Sequence, residues 1–463
     1  MSEPYDLIII GAGPAGMAAA DISSRHDCRV LILDEQSSPG GQLFRSIEAF
    51  ENRQRPELGD TYRDGLRLTK AFRKTDVEYI SQATVWLVSS ELEVGFSKNG
   101  QARIVTAKQI IIATGAQERP FPVSGWTLPG VMTIGAAQVL LKESEIAIED
   151  VVFAGTGPLF YLALHQYLAA GISIKAIIDL TPASNYLRAL PHIFKAIPGL
   201  PKILEGWQWK REIVKSGVPY FSGVTDIRII GRDAVTGIEY LKGSEWQLLT
   251  CENVLLHQGV VPNVNISMAA GCASSWNKRQ ACWTIDVDEW FRSSIADIAV
   301  VGDGAAIGGG AAAELNGRIA ALAALEQLDK ISPRERDSQA KPYKAALKSE
   351  LSNRPFLDTL FRPVDHFRIP QQPETIVCRC EEISVGQIRD VVESGCAGPN
   401  QLKSYSRCGM GPCQGRLCGL TVSELIAGIM DKPVSDVGYY RLRSPIKPLL
   451  LGELANLDLP SES

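Results

Sequence analysis

Apolar positions in the first 330 residues fall in unbroken runs that end in glycine turns. The pattern occurs at Asp6–Gly16 (DLIIIGAGPAG) and again at Val151–Gly157 (VVFAGTG), with a related strand and turn at Ile298–Gly304 (IAVVGDG). Runs such as Leu7–Ile10 and Ile110–Ala113 carry no alternation, which predicts parallel strands covered on both faces. Helical stretches follow at Ala15–Ser24 and Ala311–Leu328. Strands alternating with helices predict a doubly wound α/β architecture. The second turn lies well inside the span between the first and the Ile298 segment, so one dinucleotide-binding unit is expected to interrupt another. The expected division is residues 1–120 with 280–330, an inserted unit over 121–279, and a polar, proline-containing linker with some helix over 331–373. A cysteine-rich unit over 374–440 and a tail over 441–463 complete the chain.

Composition adds exclusions. Hydrophobic residues make up 45% of the chain and charged residues 21%, which fits a folded globular protein. The formal charge of −5 lacks the basic footprint of a nucleic-acid binder, so no nucleic-acid partner is expected. Two uncharged stretches, Pro120–Leu141 and Val151–Ile174, are broken by prolines and glycines and do not read as membrane spans. Glu3 and Asp6 precede the first apolar run, so no signal peptide is read there. A cytoplasmic protein is expected, with peripheral contact to the inner membrane left open.

Gly11, Gly13 and Gly16 form G-x-G-x-x-G between a strand and a helix, with Ala15 inside the turn. In such a turn the first glycine permits the tight bend, the second lets a pyrophosphate approach the backbone, and the third lets the helix pack on the strand. Helix N-terminal amides then favour phosphate. A second strand, Arg29–Leu33, ends at Asp34 and Glu35, where a carboxylate would accept the ribose hydroxyls of an adenosine. Asp34 has the better register and Glu35 is the reserve.

These motifs resemble those of flavoproteins with two dinucleotide-binding domains, the thioredoxin-reductase-like group. The resemblance implies FAD. It assigns Gly41 and Gln42 of Pro39-Gly40-Gly41-Gln42 to the flavin-side loop, and Thr114 and Gly115 after Ile110–Ala113 to a second flavin contact. It assigns Asp303 to the ribityl chain and Val85 to the adenine. Asp303 also suits a helix N-cap. The second turn, Gly155-Thr156-Gly157-Pro158-Leu159-Phe160, departs from the pattern by placing Phe160 where the third glycine would stand. NAD(P) is therefore a doubtful cofactor, although Asp179 follows a strand and could meet a ribose. No C-x-x-C occurs in the middle region, so disulfide-reductase chemistry has no residues there; Cys272 and Cys282 read as buried packing residues.

Of ten cysteines, six fall between Cys378 and Cys418. Cys378 and Cys380 form one close pair, Cys408 and Cys413 a second, and four thiolates in two pairs can hold a [2Fe–2S] cluster. Gly409 and Gly411 would let amides turn toward the sulfurs, and Arg379, Arg407 and Arg416 add positive charge. Zinc held by four cysteines is the rival. The segment resembles the bacterioferritin-associated-ferredoxin-like [2Fe–2S] fold, a small helical module. Residues 408–418 are similar to the version fused to α subunits of opine oxidases. In the ferredoxins the second pair is C-x-x-C, so Cys413 departs from that form, and the fourth ligand is left open between Cys413 and Cys418; Cys396 reads as structural.

Over nearly its whole length the chain resembles the α subunits of opine (octopine/nopaline) oxidase-type heteromeric dehydrogenases. These are related to α subunits of hydrogen-cyanide synthase, D-hydroxyproline dehydrogenase and sarcosine oxidase. The resemblance implies a β-type FAD amine-oxidase partner, a small third iron–sulfur subunit, FMN at a subunit interface, and electron delivery to a respiratory acceptor. It leaves the amine substrate undetermined. His165, His192, His257 and His366 are isolated in sequence, and no catalytic acid or base is assigned. Two other readings remain at this point: a self-sufficient NAD(P)H-dependent FAD/iron–sulfur reductase, and a nucleotide- and zinc-binding scaffold.

Overall fold

The computed structural model describes residues 3–50 and 55–457. The last six residues of the expected tail lie outside them. The apolar run Tyr5–Ile10 is the central strand of a first sheet, flanked in parallel by Val30–Leu33 and by the end of Gln101–Ile112. Glu78–Ile80 extends the sheet beyond Val30–Leu33. The chain leaves this sheet after Ile112 and returns at Ile298–Val300, pairing in parallel with Ile110 to Ile112. An antiparallel meander, Thr84–Val88 with Glu93–Lys98 and the start of Gln101–Ile112, continues the sheet outward. Helices Pro14–Ser23 and Gly310–Gln327 lie against each other over one face. Alanine and glycine make that approach possible: a Cβ on Gly317 would come within 2.0 Å of the Ala15 carbonyl oxygen.

Between the two visits to the first sheet the chain builds a second parallel sheet. Its order is Tyr220–Ser222, Ile174–Asp179, Val151–Thr156, Val254–Gln258 and Val131–Thr133. An antiparallel three-stranded sheet, Val224–Gly231, Val235–Lys242 and Glu245–Thr250, packs beside it in one apolar core. The two crossings between the units run side by side as a short antiparallel ladder, Ala116–Glu118 with Val260–Pro262.

The segment expected to be a linker with some helix is more ordered than that. Pro333–Glu350 is one helix, started by a capping box in which Ser332 and Glu335 satisfy each other's amides. Local cap chemistry outweighs the polar composition.

The cysteine-bearing unit is a hairpin, Ile376–Cys378 with Ile383–Ser384, and helices Val385–Glu393, Pro399–Ser406 and Gly419–Met430 around a separate core. A buried ion pair fastens it to the rest. Glu424, 1% exposed, meets the Arg368 guanidinium and lies 3.9 Å from Arg119, whose terminal nitrogens donate to the carbonyls of Gln280 and Ala281. Trp126 adds a hydrogen bond of 2.6 Å from Nε1 to the Ile376 carbonyl. Among the described residues, no helix is long and apolar enough to cross a membrane.

Candidate functional site

The first glycine turn divides its labour as its chemistry demands. Gly11 has φ +104°, and a Cβ there would lie 2.5 Å from the Ala113 carbonyl oxygen. A Cβ on Gly16 would lie 1.8 Å from the Gly11 carbonyl oxygen, so neither position accepts a side chain. At Gly13, among the described residues, a Cβ would meet Gly41 Cα alone within 4 Å, at 3.9 Å. The space beside Gly13 is a cradle between the turn and the Gly40–Gly41 loop rather than packed protein. Asp34, buried at the end of Val30–Leu33, accepts from the Ala12 amide and from the Gln36 amide at 2.6 Å. Burial holds its carboxyl above the usual carboxylate range. Glu35 is exposed and pairs with Lys447 of the C-terminal segment.

The other expected contacts are gathered around the same cradle, with one exception in orientation. Asp303 Oδ1 accepts from the Gly308 and Gly309 amides at 2.7 and 2.8 Å, capping the turn into Gly310–Gln327. Thr114 Oγ1 donates to the Asn263 carbonyl at 3.3 Å, and the Asn263 amide donates to the Gly115 carbonyl at 3.0 Å. Gln42 is exposed and receives Arg45 on Oε1 at 3.0 Å. The Val85 side chain is buried in the core with Leu31 and Leu33, so only its backbone is left to face a ligand. Lys142 was not foreseen. It is 2% exposed, and its ammonium donates to the carbonyls of Gln42 and Leu43 at 3.3 and 3.1 Å and to Gln138 Oε1 at 3.1 Å. Burial, with Arg45 nearby, lowers its pKa to about 7.

At the second turn the expected bulk of Phe160 is absorbed inward. The ring is fully buried, edge-on to Tyr161 at 5.3 Å between centroids. Asp179 is saturated by the protein itself: Tyr161 and Tyr220 donate their hydroxyls, Lys210 its ammonium at 3.3 Å, and the Thr181 amide lies at 2.9 Å. Burial pushes that carboxyl up, but Lys210 and these hydrogen bonds bring it below the usual range. Three of the four histidines isolated in sequence gain carboxylate partners in space. His257 Nδ1 lies 2.6 Å from Glu118 Oε1 at the inter-unit ladder, and His165 and His366 sit 3.1 and 3.2 Å from Glu212 and Asp226.

The cysteine cluster differs in membership from the set read from spacing. The sulfurs of Cys378, Cys408 and Cys418 lie within 4.8 Å of one another, all buried. Cys413 reaches Cys418 on one side and Cys380 on the other. Five thiols therefore converge, and Cys418, left out of the four-residue set, has three sulfur neighbours. The helix Gly419–Met430 begins right after Cys418 and turns it back into the centre, which pair spacing does not reveal. Hydrogen bonds from the Cys408 and Cys418 thiols hold Cys378 far below the usual thiol range, helped by the Gly409 and Glu381 amides. Cys413, accepting from Cys418 and from the Leu417 and Gly415 amides, is lowered to about 5. A pocket that stabilises thiolates with backbone amides suits a metal or metal–sulfur centre. Cys396 stays outside it, donating to the Gly398 carbonyl at 3.4 Å.

Tyr440, also unforeseen, donates its hydroxyl to Cys408 Sγ at 3.4 Å, and Lys403 lies 4.6 Å above its ring. Of the three arginines, Arg407 is exposed and paired with Glu381 at 3.0 Å, and Arg379 stacks over Trp126 at 5.2 Å. The cysteine loop touches the crossing between the units. Gln117 Nε2 donates to the Arg416 carbonyl at 2.7 Å, and Asn265 Nδ2 to the Gln414 carbonyl at 3.1 Å. Gln117 stands two residues beyond Gly115, and Asn265 two beyond Asn263. The thiols and the Thr114–Gly115 turn are thus linked through Gln117 on the strand Ala116–Glu118 and Asn265 at the start of the helix Asn265–Ala269.

Similarity to known proteins covers most of the chain. Residues 5–325 match the family described as pyridine nucleotide-disulphide oxidoreductase, and residues 372–457 match the sarcosine oxidase A3 domain. An opine oxidase subunit from Agrobacterium tumefaciens (strain Ach5) is 43% identical over 99% of this chain and 92% of its own. Hydrogen cyanide synthase subunit HcnB from Pseudomonas aeruginosa is 28% identical over 97% of this chain and 98% of its own. Among solved structures, L-proline dehydrogenase from P. horikoshii superposes with a TM-score of 0.73 at 18% identity, covering 98% of this chain and 80% of that one.

Proposed function

The chain belongs to the family of this opine oxidase component and is a flavin-dependent oxidoreductase subunit of a heteromeric enzyme, and from that premise we propose that it carries electrons from a secondary amine through FAD and a [2Fe–2S] centre to a respiratory acceptor. In this reading a partner of the amino-acid-oxidase type oxidises an opine. The amine gives up two electrons and two protons, and water cleaves the resulting imine to an amino acid and a keto acid. Bound flavin would accept the electron pair and release it one electron at a time to the metal–sulfur centre.

The chain's own residues supply position and electrostatics. Gly13 and Gly41 leave room for phosphates, the Pro14–Ser23 helix turns its amides toward them, and Asp34 stands where a ribose would be met. Gly41, Gln42, Thr114, Gly115 and Asp303 line the flavin side, with Lys142 holding the Gln42 loop from behind. Four of the five clustered thiols would ligate the iron–sulfur centre.

The observation that carries the reading is the contact between the Thr114–Gly115 turn and the cysteine loop through Gln117 and Asn265. It gives an electron a short path between the two groups. Asp179 speaks against a nicotinamide as electron source, because Tyr161, Tyr220 and Lys210 already crowd its Oδ2 and the Thr181 amide occupies Oδ1. Anaerobically purified protein is expected to contain FAD, iron and labile sulfide in stoichiometric amounts. Zinc without sulfide would overturn the relay, and bleaching of the isolated chain by NADH would overturn the direction of electron supply.

A further inference from the structure

Five Lys and Arg side chains are buried among the described residues: Arg45, Arg119, Lys142, Arg318 and Arg368. Three of them have a carboxylate partner. Arg318 meets Asp21 and Glu314 at 3.1 and 2.9 Å, and Arg119 and Arg368 share Glu424. Arg45 and Lys142 are held by neutral groups instead, and neither forms an ion pair with a described residue. Arg45 donates to the amide oxygens of Gln36 and Gln42, while its Nε has no hydrogen-bond partner. Lys142 donates to the Gln42 and Leu43 carbonyls and to Gln138 Oε1. The two cations feel each other, since Arg45 adds to burial in lowering the Lys142 pKa. Asp34 senses the Arg45 charge, but its own hydrogen bonds come from the Ala12 and Gln36 amides. Burying a cation beside a like charge and without a carboxylate is costly, and packing alone would be served by an uncharged side chain of similar length.

Both cations grip the segment that borders the Gly13 cradle. On the ribose side Arg45 holds Gln36, whose amide donates to Asp34 at 2.6 Å. On the flavin side it holds Gln42 at 3.0 Å, next to Gly41, the residue that faces Gly13 across the cradle. Arg45 thus bridges the two sides between which the diphosphate of a dinucleotide lies. We propose that Arg45 and Lys142 are positioning residues with a charge role: they fix the Gln36 and Gln42 sides of the cradle and supply the counter-charge for the cofactor's diphosphate. The inference rests on the reading of FAD at the first turn and goes beyond it, because neither residue belongs to the glycine fingerprint or to its acidic partner. No direct contact is required, since burial keeps screening water away and lets the charge act over a distance.

The experiment is calorimetric titration of the full chain, freed of flavin, with FAD and with ADP at low and raised salt. Each variant is first shown by circular dichroism and thermal unfolding to fold as the parent does. Arg45→Met should bind both ligands roughly tenfold or more weakly and with a shallower salt dependence. Arg45→Lys, which restores the charge, should recover part of the affinity and the parent's salt dependence. Lys142→Met should lose more affinity for FAD than for ADP, because the carbonyls it fixes lie on the flavin side. Unchanged FAD affinity in the folded Arg45→Met and Lys142→Met proteins would overturn the counter-charge and leave the flavin reading standing. Equal losses in Arg45→Lys and Arg45→Met at the parent's salt dependence would give Arg45 a packing role and overturn it as well. A parent that binds ADP but not FAD, with ADP lost in Arg45→Met, would uphold the counter-charge and sink the flavin reading instead.

Discussion

Tyr440 donates its hydroxyl to Cys408 Sγ at 3.4 Å, and its ring stands where a side chain on residue 409 would go, since a Cβ on Gly409 would lie 2.4 Å from Tyr440 Cζ. The same ring lies 2.7 Å from a Cβ built on Gly415. These glycines therefore do more than turn amides toward sulfur. They let one buried aromatic close over the thiols and bring a single O–H to them. A donor to a ligand sulfur stabilises the more negative, reduced state of a metal–sulfur centre. Tyr440→Phe keeps the ring and removes the donor. It should lower the midpoint potential on the order of tens of millivolts, with iron content unchanged. A redox titration followed by EPR reads the shift, and an unmoved potential would show that the hydroxyl has no influence on the centre.

Under the proposed [2Fe–2S] centre, five thiols would compete for four ligand positions, so one of the five serine variants at Cys378, Cys380, Cys408, Cys413 and Cys418 should retain iron and labile sulfide while the other four lose them. Cys418, central to the cluster, should not be the dispensable one. Iron and sulfide analysis of the five variants checks this, and a fully loaded Cys418→Ser protein would refute the geometry.

Gly13→Val should give folded but flavin-poor protein, because its side chain enters the cradle facing Gly41 rather than packed protein. Gly16→Val, forced against the Gly11 carbonyl, should instead fail to fold. The ratio of flavin absorbance to protein, measured beside circular dichroism, separates the two outcomes.

Burial lowers the pKa of Lys142 to about 7, whereas the unfolded chain titrates near ~10.4. Between these values the unfolded state binds more protons than the folded state, so stability rises with pH as the cost of burying the ammonium is relieved. Lys142→Met lacks this titration. The stability difference between parent and variant, from denaturant midpoints at successive pH values, should move in the parent's favour across that window and be flat below it.

Where neighbouring residues make a feature, the sequence was enough to read it. The strand–turn–helix around Gly11 to Gly16 and the acidic end of the second strand at Asp34 both depend on residues close together in the chain. Apolar runs without alternation can be buried only between two covered faces, so the α/β class followed from the pattern as well. The cap shows the limit of composition, since the polar stretch after Ser332 reads as linker and folds as helix. Spacing and resemblance named Cys378, Cys408 and Cys418 among the candidate ligands, but the central place of Cys418 and the approach of Tyr440 depend on how three helices pack. Only tertiary structure could saturate Asp179 with Tyr161, Lys210 and Tyr220, or set Glu424 between two arginines from other parts of the chain. It also turned Leu200, Leu204, Trp207 and Val214 of the helix Leu200–Lys215 to solvent while burying Ile213. Periodicity marks which positions are apolar, but what lies opposite each face is decided by the packing of distant segments.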